Sequence, residues 1–416
     1  MTVRAALAAV LACLAPAAAA HADPGDLDLR FGSGGTALVP VGIGDAQAGA
    51  LAVAPDGGLL VAGDAQVREP DDSGAGGRQL VVVRTGAFGA HDWTFTFPPR
   101  EPAADTGAAA VAVRPDGRIA AAGQSLVAAE GRQGGLVALL GEDGELDPAF
   151  GGGRGWVEHG FAAGGAADVA PLPDGGLLVA GTSAGGGTAR GELVRLRPDG
   201  SGDPAFGAEG LAASTAADGR FERYDAVAAL ADGGALVAGA ADLPDGDQGF
   251  LLARFAPDGG VARATATPFP GGVATAHALL ALPDGSAIVA GSAGGGAAAD
   301  WALARYRPDG TLDPSFGDDG RVVTAASAYE DRLLALAAGP GATIVAAGSA
   351  GAEGGSRTEF AVARFLPSGR LDPAFGRGGV VRVPLPGDAA AAGGVAALRD
   401  GSVVAAGTAQ HGGRSV

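Results

Sequence analysis

The chain has 416 residues, with 46 Asp and Glu against 28 Lys and Arg, a formal net charge of −18, 76 Gly, 26 Pro and one Cys. An acidic chain without lysine lacks the dense basic surface needed to bind nucleic-acid phosphates, so we exclude a nucleic-acid partner. With 47% hydrophobic and 18% charged residues, the sequence is too apolar for intrinsic disorder and predicts a folded protein.

Residues 1–22 have the pattern of a secretory signal peptide. Arg4 precedes an apolar stretch, and Ala20-His21-Ala22 is a small-x-small cleavage site. We therefore expect cleavage near Ala22 and a secreted protein, extracellular or periplasmic, formed by a single domain of residues 23–416. Cleavage would remove Cys13 and with it disulfide and thiol chemistry. An alternative is a lipid anchor on Cys13. No later apolar run reaches the roughly 18 to 20 residues of a membrane span.

Seven repeats with a period of about 57 residues follow the signal. One phrase, as in PDGSAIVAG at 283–291, ends on a glycine in every repeat: Gly63, Gly123, Gly181, Gly239, Gly291, Gly348 and Gly407. A second phrase, LDPxFG, occurs at 27–32, 146–151, 202–207, 312–317 and 371–376, is degenerate at 85–89, and has decayed near 260. An apolar stretch such as WALARY at 301–306 precedes the second phrase.

Each repeat predicts four short antiparallel strands joined by tight turns. Proline sets φ for the second position of a Pro-Asp-Gly turn, and glycine takes the left-handed position. Seven such units predict an all-β fold, a seven-bladed β-propeller of four-stranded antiparallel blades. We expect the phenylalanines of the LDPxFG phrase to lie as wedges between neighbouring blades: Phe31, Phe150, Phe206, Phe316 and Phe375.

The phrases LDPAFG, RYRPDGTLDPSFG and PDGSAIVAGS resemble the delta-sixty repeat, a family of bacterial secreted and cell-surface repeat proteins with a pattern like that of NHL-type propellers. The resemblance extends from Leu27 to Gly407. It implies a β-propeller outside the cytoplasm, with no established catalytic activity and no cofactor. The chain departs from the pattern at the decayed phrase near 260, at the weak copy at 85–89, and at its end.

The two ends of the mature chain predict a shared seventh blade. Thr36–Val41 has the place of an outermost strand, and 394–398 with 402–408 that of the first two strands, so the third strand is expected to be missing. A truncated gene, a genuine three-stranded closing blade and a strand lent by a partner are the alternatives. We expect a monomer, with the incomplete blade as the place where two copies would pair.

No catalytic motif is present in the sequence. The histidines occur in different repeats without metal-ligand spacing, so we expect no metal site and no enzyme. Asp242, Asp245 and Asp247, or Asp71 and Asp72, could offer oxygens to Ca²⁺, but they do not match an EF-hand and favour solvated loops. The residues six positions before each turn should face the channel and do not form a repeated polar ring: Gly49, Ala109, Ala167, Asp225, His277, Leu334 and Gly393.

The connections of variable length all lie on one face of the predicted propeller. They suggest five candidate ligand contacts: Arg100, Arg220, Arg223, Tyr224 and Tyr329. Two functions remain open. The first is a secreted, non-enzymatic propeller that binds or scaffolds an unknown protein or glycan ligand. The second is an extracellular hydrolase or lyase acting on polysaccharide, which would need clustered carboxylates on the variable face.

Overall fold

The structure is a computed structural model that describes residues 7–14, 23–67, 77–98, 105–127, 132–185, 188–214, 221–296, 299–352, 357–385, 389–411 and 414–415. The strands of these residues form seven antiparallel sheets. The innermost strands of successive sheets contact one another, and the innermost strand of the seventh sheet contacts that of the first. The sheets therefore close into the predicted seven-bladed propeller.

The blades are numbered from the first sheet that is continuous in sequence. Blade 1 contains β3 (Ala46–Val53), β4 (Leu59–Gln66), β5 (Arg78–Thr85) and β6 (His91–Thr96); blade 2 contains β7 (Asp105–Val113), β8 (Ile119–Val127), β9 (Arg132–Leu140) and β10 (Trp156–Glu158); blade 3 contains β11 (Gly165–Pro171), β12 (Leu177–Gly185), β13 (Thr188–Leu196) and β14 (Leu211–Ala212). Blade 4 contains β15 (Glu222–Ala229), β16 (Ala235–Asp242), β17 (Gln248–Phe255) and β18 (Val261–Thr267); blade 5 contains β19 (Ala274–Ala281), β20 (Ala287–Ala293), β21 (Asp300–Tyr306) and β22 (Arg321–Thr324); blade 6 contains β23 (Arg332–Ala338), β24 (Ile344–Gly351), β25 (Thr358–Phe365) and β26 (Val380–Val383). Blade 7 contains β27 (Ala389–Ala397), β28 (Val403–His411), β1 (Leu7–Leu14) and β2 (Thr36–Pro40), and the short β29 (Arg414–Ser415) also pairs with β28.

The Pro-Asp-Gly turns close the hairpins by the expected chemistry. In blade 5 the Asp284 carboxylate accepts the N–H of Ser286 at 2.9 Å, and Gly285 has a φ of 82°. In blade 3 Asp174 accepts the N–H of Gly176 at 2.9 Å. The aspartate fixes the turn through its own side chain, and only glycine takes the left-handed conformation without strain.

The phenylalanines of the LDPxFG phrase lie between blades, as predicted. Phe316 of blade 5 is fully buried and packs with Ile344 of blade 6. The glycine after each wedge donates its N–H to a turn of the next blade, as Gly317 does to the Ser368 carbonyl at 2.8 Å. All five phenylalanines are at most 1% exposed: Phe31, Phe150, Phe206, Phe316 and Phe375. In these five blades the repeated phrase thus joins the blade to its successor by an aromatic contact and a backbone hydrogen bond.

The expectation that blade 7 lacks its third strand is wrong in this structure. β1, which lies within the segment assigned to the signal peptide, pairs antiparallel with β28 on one side and with β2 on the other. Leu14 bridges Leu27 just as Tyr306 bridges Leu312 in blade 5. An apolar stretch of eight residues suits a buried third strand as well as the core of a signal peptide, and residues 11–14 are at most 3% exposed. The slot expected to mediate pairing of two copies is therefore filled.

Among the described residues, none of the helices has the length and apolarity needed to cross a membrane. Short 3-10 turns at Gly151–Gly153 and Pro340–Ala342 accompany the strands.

Candidate ligand-binding site in the central channel

A one-residue β-bulge occurs at the same point of every innermost strand. In β19 the pairing with β20 runs from Ala276↔Gly291 to Ala278↔Ala290, so His277 is the extra residue. The seven extra residues are Gly49, Ala109, Ala167, Asp225, His277, Leu334 and Gly393. They are the residues six positions before each turn, and all seven line the central cavity. Counting six residues back from each turn therefore identified residues that line the channel.

The closing glycine of the PDGxxxxAG phrase lies opposite this bulge. A Cβ on Gly291 would overlap the carbonyl oxygen of Thr275, because the bulge turns that carbonyl toward the second strand. The closing glycines of the other six blades face the equivalent carbonyl at a similarly short separation. The repeat thus keeps space for the bulge, and the bulge places one residue of each blade at the channel wall.

The central cavity has a volume of about 650 Å³ and lies toward the variable-loop face. Its lining includes Gln47 near the start of β3 and Thr408 near the end of β28, and these strand ends adjoin the variable connections. Alanine, glycine and leucine form most of the wall, and no Phe, Tyr or Trp lines it among the described residues. The polar lining residues are Gln47, Asp64, Asp168, Asp225, His277, Thr358 and Thr408.

Asp168 is a channel carboxylate that is stabilised by backbone groups alone. Its Oδ1 accepts the N–H of Val169 and its Oδ2 the N–H of Val227 in blade 4, each at 2.8 Å. Among the described residues it has no ion-pair partner. Burial raises the pKa of Asp168 to about 6, although the two N–H donors act in the opposite direction. At neutral pH the side chain is ionised, and no cation in the described part of the chain compensates its negative charge.

Asp225 and His277 occupy the bulges of the next two blades. The Nε of Arg223 donates to Asp225 Oδ2 at 2.7 Å. Burial raises the pKa of Asp225, and the Arg223 guanidinium limits that rise. Burial, followed by the charges of Arg223 and Arg332, lowers the pKa of His277 to about 4. His277 is therefore a neutral imidazole at physiological pH, able to donate one hydrogen bond and accept another.

Asp64 contributes a third carboxylate, from the end of β4. Arg78 Nε donates to its Oδ2 at 2.6 Å. Burial raises the pKa of Asp64, and Arg78 acts in the opposite direction. Asp64 and Asp225 are thus each compensated by an arginine, whereas Asp168 is not. The cavity holds one carboxylate that is available to a cationic or hydrogen-bond-donating group.

The five predicted contact residues have different environments. Arg223 forms an ion pair with the channel residue Asp225 but is not itself among the residues that line the cavity. Tyr224 is fully buried and its hydroxyl accepts the N–H of Ser214 at 2.9 Å, so its assignment as a surface contact is corrected: alternation along β15 points it into the blade interface. Tyr329 is 36% exposed, beside Ser327 and away from the cavity lining. Arg100 and Arg220 lie outside the described residues.

The acidic loop considered for Ca²⁺ is held by local hydrogen bonds. Asp242 accepts from Gln248 at 3.2 Å, and Asp245 accepts the N–H of Asp247 at 3.2 Å. No group of three metal-ligating side chains is found in the part of the chain that the structure describes. Asp71 and Asp72 lie outside it.

Asp168 was missed by the sequence reasoning, although a signal for it exists. It lies five positions before its turn, one residue after the bulge. The same position is small in every other blade: Ala50, Ala110, Ala226, Ala278, Ala335 and Gly394. Comparing this position across the seven repeats would therefore have identified Asp168, because it is the one acidic residue where the other six repeats have alanine or glycine.

Four segments of the chain match the family described as a domain of unknown function (DUF5122) beta-propeller, at residues 114–150, 172–206, 282–316 and 343–375. Four of the repeats are similar to this β-propeller family. The match covers about a third of the chain and supports a propeller repeat in general. The narrower delta-sixty assignment stays a prediction. No curated protein matches the chain.

Three of the solved structures to which the chain is similar are the following. The first is a protein of unknown function from Bacteroides caccae, with 13% identity over 76% of this chain and 94% of that one, and a TM-score of 0.40. Sqt1 of Chaetomium thermophilum has 12% identity over 79% and 71%, with a TM-score of 0.40. MPT-4, a mannose phosphorylase from Leishmania mexicana in complex with phosphate ion, has 14% identity over 58% and 78%, with a TM-score of 0.34. Likenesses this distant carry no argument about function.

Proposed function

We propose that the protein is an exported, non-catalytic binding propeller whose channel receives a primary ammonium group, carried by a small amine or by a lysine side chain of a protein partner. Asp168 is the observation that carries this proposal. Its carboxylate is ionised at neutral pH and has no cationic partner among the described residues. A cavity of about 650 Å³ is of the size that small ligands occupy.

The composition of the cavity wall favours a primary ammonium over other groups. A primary ammonium offers three N–H donors. Asp168 offers it an ionised acceptor, and the cavity lining also includes the neutral imidazole of His277 and the hydroxyl of Thr408, which already accepts the N–H of Ala48 at 2.7 Å. Quaternary ammonium ions are recognised by cages of Phe, Tyr or Trp rings, and the described lining contains none of these three residues. Recognition here therefore depends on charge and hydrogen bonds.

Export is a separate part of the proposal and rests on the pattern of residues 1–22. Cleavage near Ala22 would remove β1 from between β28 and β2, so an exported, cleaved chain has a blade 7 without that strand. A scaffold role at the cell surface or in the extracellular space follows if the amine belongs to another protein. Expression with an epitope tag at the C-terminus, followed by fractionation and N-terminal sequencing, tests export. Retention in the cytoplasm would refute it without affecting the channel proposal.

Calorimetric titration with 1,5-diaminopentane tests the channel. We expect saturable binding at pH 7.5 that is lost in Asp168→Asn and weakens as the pH falls through about 6, because protonation removes the negative charge. Glu142→Gln, which removes one exposed charge from a turn away from the channel, is the matched control. Choline and a neutral chitin oligosaccharide are the comparison ligands. Equal binding by Asp168→Asn and the unmodified protein would overturn the proposal.

A hydrolase or lyase is the second candidate. Asp64, Asp168 and Asp225 share one cavity on the variable-loop face, and an acid with a pKa of about 6 lies there with a neutral histidine. Such a combination suits general acid–base chemistry. Turnover of chromogenic glycosides and of polysaccharides, abolished in Asp168→Asn and retained in Glu142→Gln, would favour this function over simple binding.

A further inference from the structure

The contact between blades 4 and 5 differs from the others because the LDPxFG phrase is missing from blade 4. Two blades lack this aromatic wedge. In blade 1 the outermost strand supplies Trp93, which covers Gly144 of the next blade's turn and donates its indole N–H to the Glu142 carbonyl at 3.2 Å. In blade 4 the equivalent residue is Arg263. The two positions are equivalent, because Trp93 is the strand partner of Arg84 in blade 1 and Arg263 is the strand partner of Arg254 in blade 4. The side chain of Arg263 packs on Gly310 of blade 5.

The loss of the phrase also removes an acidic partner from Arg254. Its equivalents in blades 1, 3 and 5 each contact two aspartates: Arg84 contacts Asp56 and Asp92, Arg195 contacts Asp174 and Asp203, and Arg305 contacts Asp284 and Asp313. Within the described residues, Arg254 contacts Asp232 alone, at 2.5 Å. Ala262 has the place in β18 that Asp92 has in β6, because each is the one residue that the pairing with the third strand of its blade skips. Arg254 therefore lacks the second carboxylate.

A cleft of about 270 Å³ lies where the wedge and the acid are missing. Leu236 and Leu252 form its buried floor, and the guanidinium-bearing side chains of Arg254, Arg263 and Arg307 line it. Arg263 has no ion pair within 4.0 Å among the described residues, and Arg307 approaches Asp313 only at 3.9 Å. Three arginines, of which Arg254 is paired with Asp232, thus line one cleft of a protein with a net charge of −18.

One carboxylate, that of Asp309, shares the lining. It is engaged by Thr311, whose N–H and hydroxyl donate to Asp309 Oδ1 at 2.9 and 2.6 Å. These hydrogen bonds, together with the charges of Arg263 and Arg307, lower the pKa of Asp309. Asp309 therefore balances part of the arginine charge from the rim of the cleft.

We propose that this cleft between blades 4 and 5, lined by Arg254, Arg263 and Arg307, binds a tetrahedral oxyanion, either free phosphate or sulfate or the same group at the end of a larger ligand. The oxyanion takes the place of the aspartate that Arg84, Arg195 and Arg305 have as a second partner. Guanidinium groups match oxyanions because their N–H donors form paired, charge-assisted hydrogen bonds. The cleft lies at the outer part of the blades and is separate from the central channel.

Calorimetric titration with inorganic phosphate and with sulfate tests the proposal. The ionic strength is kept constant with chloride. Phenyl phosphate distinguishes a site for the free ion from one for a monoester. Two variants restore what other blades contain: Arg263→Trp supplies the wedge of blade 1, and Ala262→Asp supplies the missing carboxylate without removing an arginine. Arg382→Gln, which removes an outer-strand arginine of blade 6, is the matched control.

We expect saturable binding by the unmodified protein, weakened about ten-fold or more, equivalent to about 1.4 kcal/mol, by Arg263→Trp and by Ala262→Asp. Arg382→Gln should bind within about two-fold of the unmodified protein. If Arg263→Trp does not fold, Arg263→Gln removes the charge without adding bulk. Absence of saturable binding, or equal affinity in Ala262→Asp and the unmodified protein, would overturn the proposal.

Discussion

Replacing Gly291 with alanine should destabilise the protein, because the closing glycine of the repeat makes room for the bulge of the neighbouring strand. A Cβ on Gly291 would overlap the carbonyl oxygen of Thr275. The obstacle is backbone, so no rotamer change relieves it. β19 and β20 would have to separate or the bulge at His277 would have to flatten. Either change also moves the side chain that His277 presents to the channel.

The cost can be built from three contributions. Overpacking that side chains cannot relieve costs about 1 to 3 kcal/mol. The pairs Ala276↔Gly291 and Ala278↔Ala290 flank the bulge, and weakening their hydrogen bonds costs about 1 kcal/mol each. Alanine restricts the unfolded chain and returns about 0.4 to 1 kcal/mol. We therefore expect the free energy of unfolding to fall by about 3 kcal/mol.

Equilibrium unfolding in urea measures this change as a lower midpoint with an unchanged slope. Gly295→Ala is the matched control in the same blade, since a Cβ there meets no atom within 4 Å. We expect Gly295→Ala to change the free energy of unfolding by less than about 0.5 kcal/mol. If Gly291→Ala and Gly295→Ala have the same midpoint, the explanation of the repeat glycine by the bulge is refuted.

Three further predictions concern the wedge, the channel acid and blade 7. Phe316→Ala should cost about 3 to 5 kcal/mol because Phe316 is fully buried between blades, whereas Phe88→Ala, at a residue 60% exposed in the degenerate copy, should cost under about 1 kcal/mol in the same urea assay. Because the pKa of Asp168 is raised, its protonated form stabilises the folded protein below about pH 4, and this stability is lost as the pH rises through about 6. The free energy of unfolding of Asp168→Asn, relative to that of the unmodified protein, should therefore increase over this interval by up to about 3 kcal/mol. A difference that stays constant with pH would contradict this prediction. Deleting residues 1–22 removes β1 and should speed hydrogen exchange in 403–411 by about ten-fold or more, relative to the matching strand of blade 5. Equal protection of 403–411 in the full-length and the shortened protein would show that β1 does not complete the blade.

The repeat could be predicted from the sequence because its determinants are local. The Asp284 side chain and the left-handed Gly285 define a turn within four residues. Alternation then orients each strand, and the wedge Phe316 follows from its place in the phrase. The same spacing identified the channel-lining bulge residues, since each lies at a constant distance from a turn.

Local sequence could not decide the placement of the N-terminal apolar segment or of Tyr224. Leu7–Leu14 has the composition of both a signal core and a buried strand, and only the unpaired edges of β2 and β28 select the strand. The sequence places Tyr224 in a variable connection, but β15 begins at Glu222 and turns the Tyr224 ring into the blade interface.

The sequence by itself determined the number of blades, their strand order and the identity of the channel positions, because turn chemistry and alternation act over a few residues. The tertiary structure alone decided what those positions do together. Asp168, Asp225 and His277 come from three successive blades, and ring closure brings them into one cavity. Burial and the nearby arginines then set their charge states, leaving Asp168 without a cationic partner among the described residues and His277 neutral. These properties depend on the solvent that the folded ring excludes and on charges distant in sequence, neither of which a local pattern records.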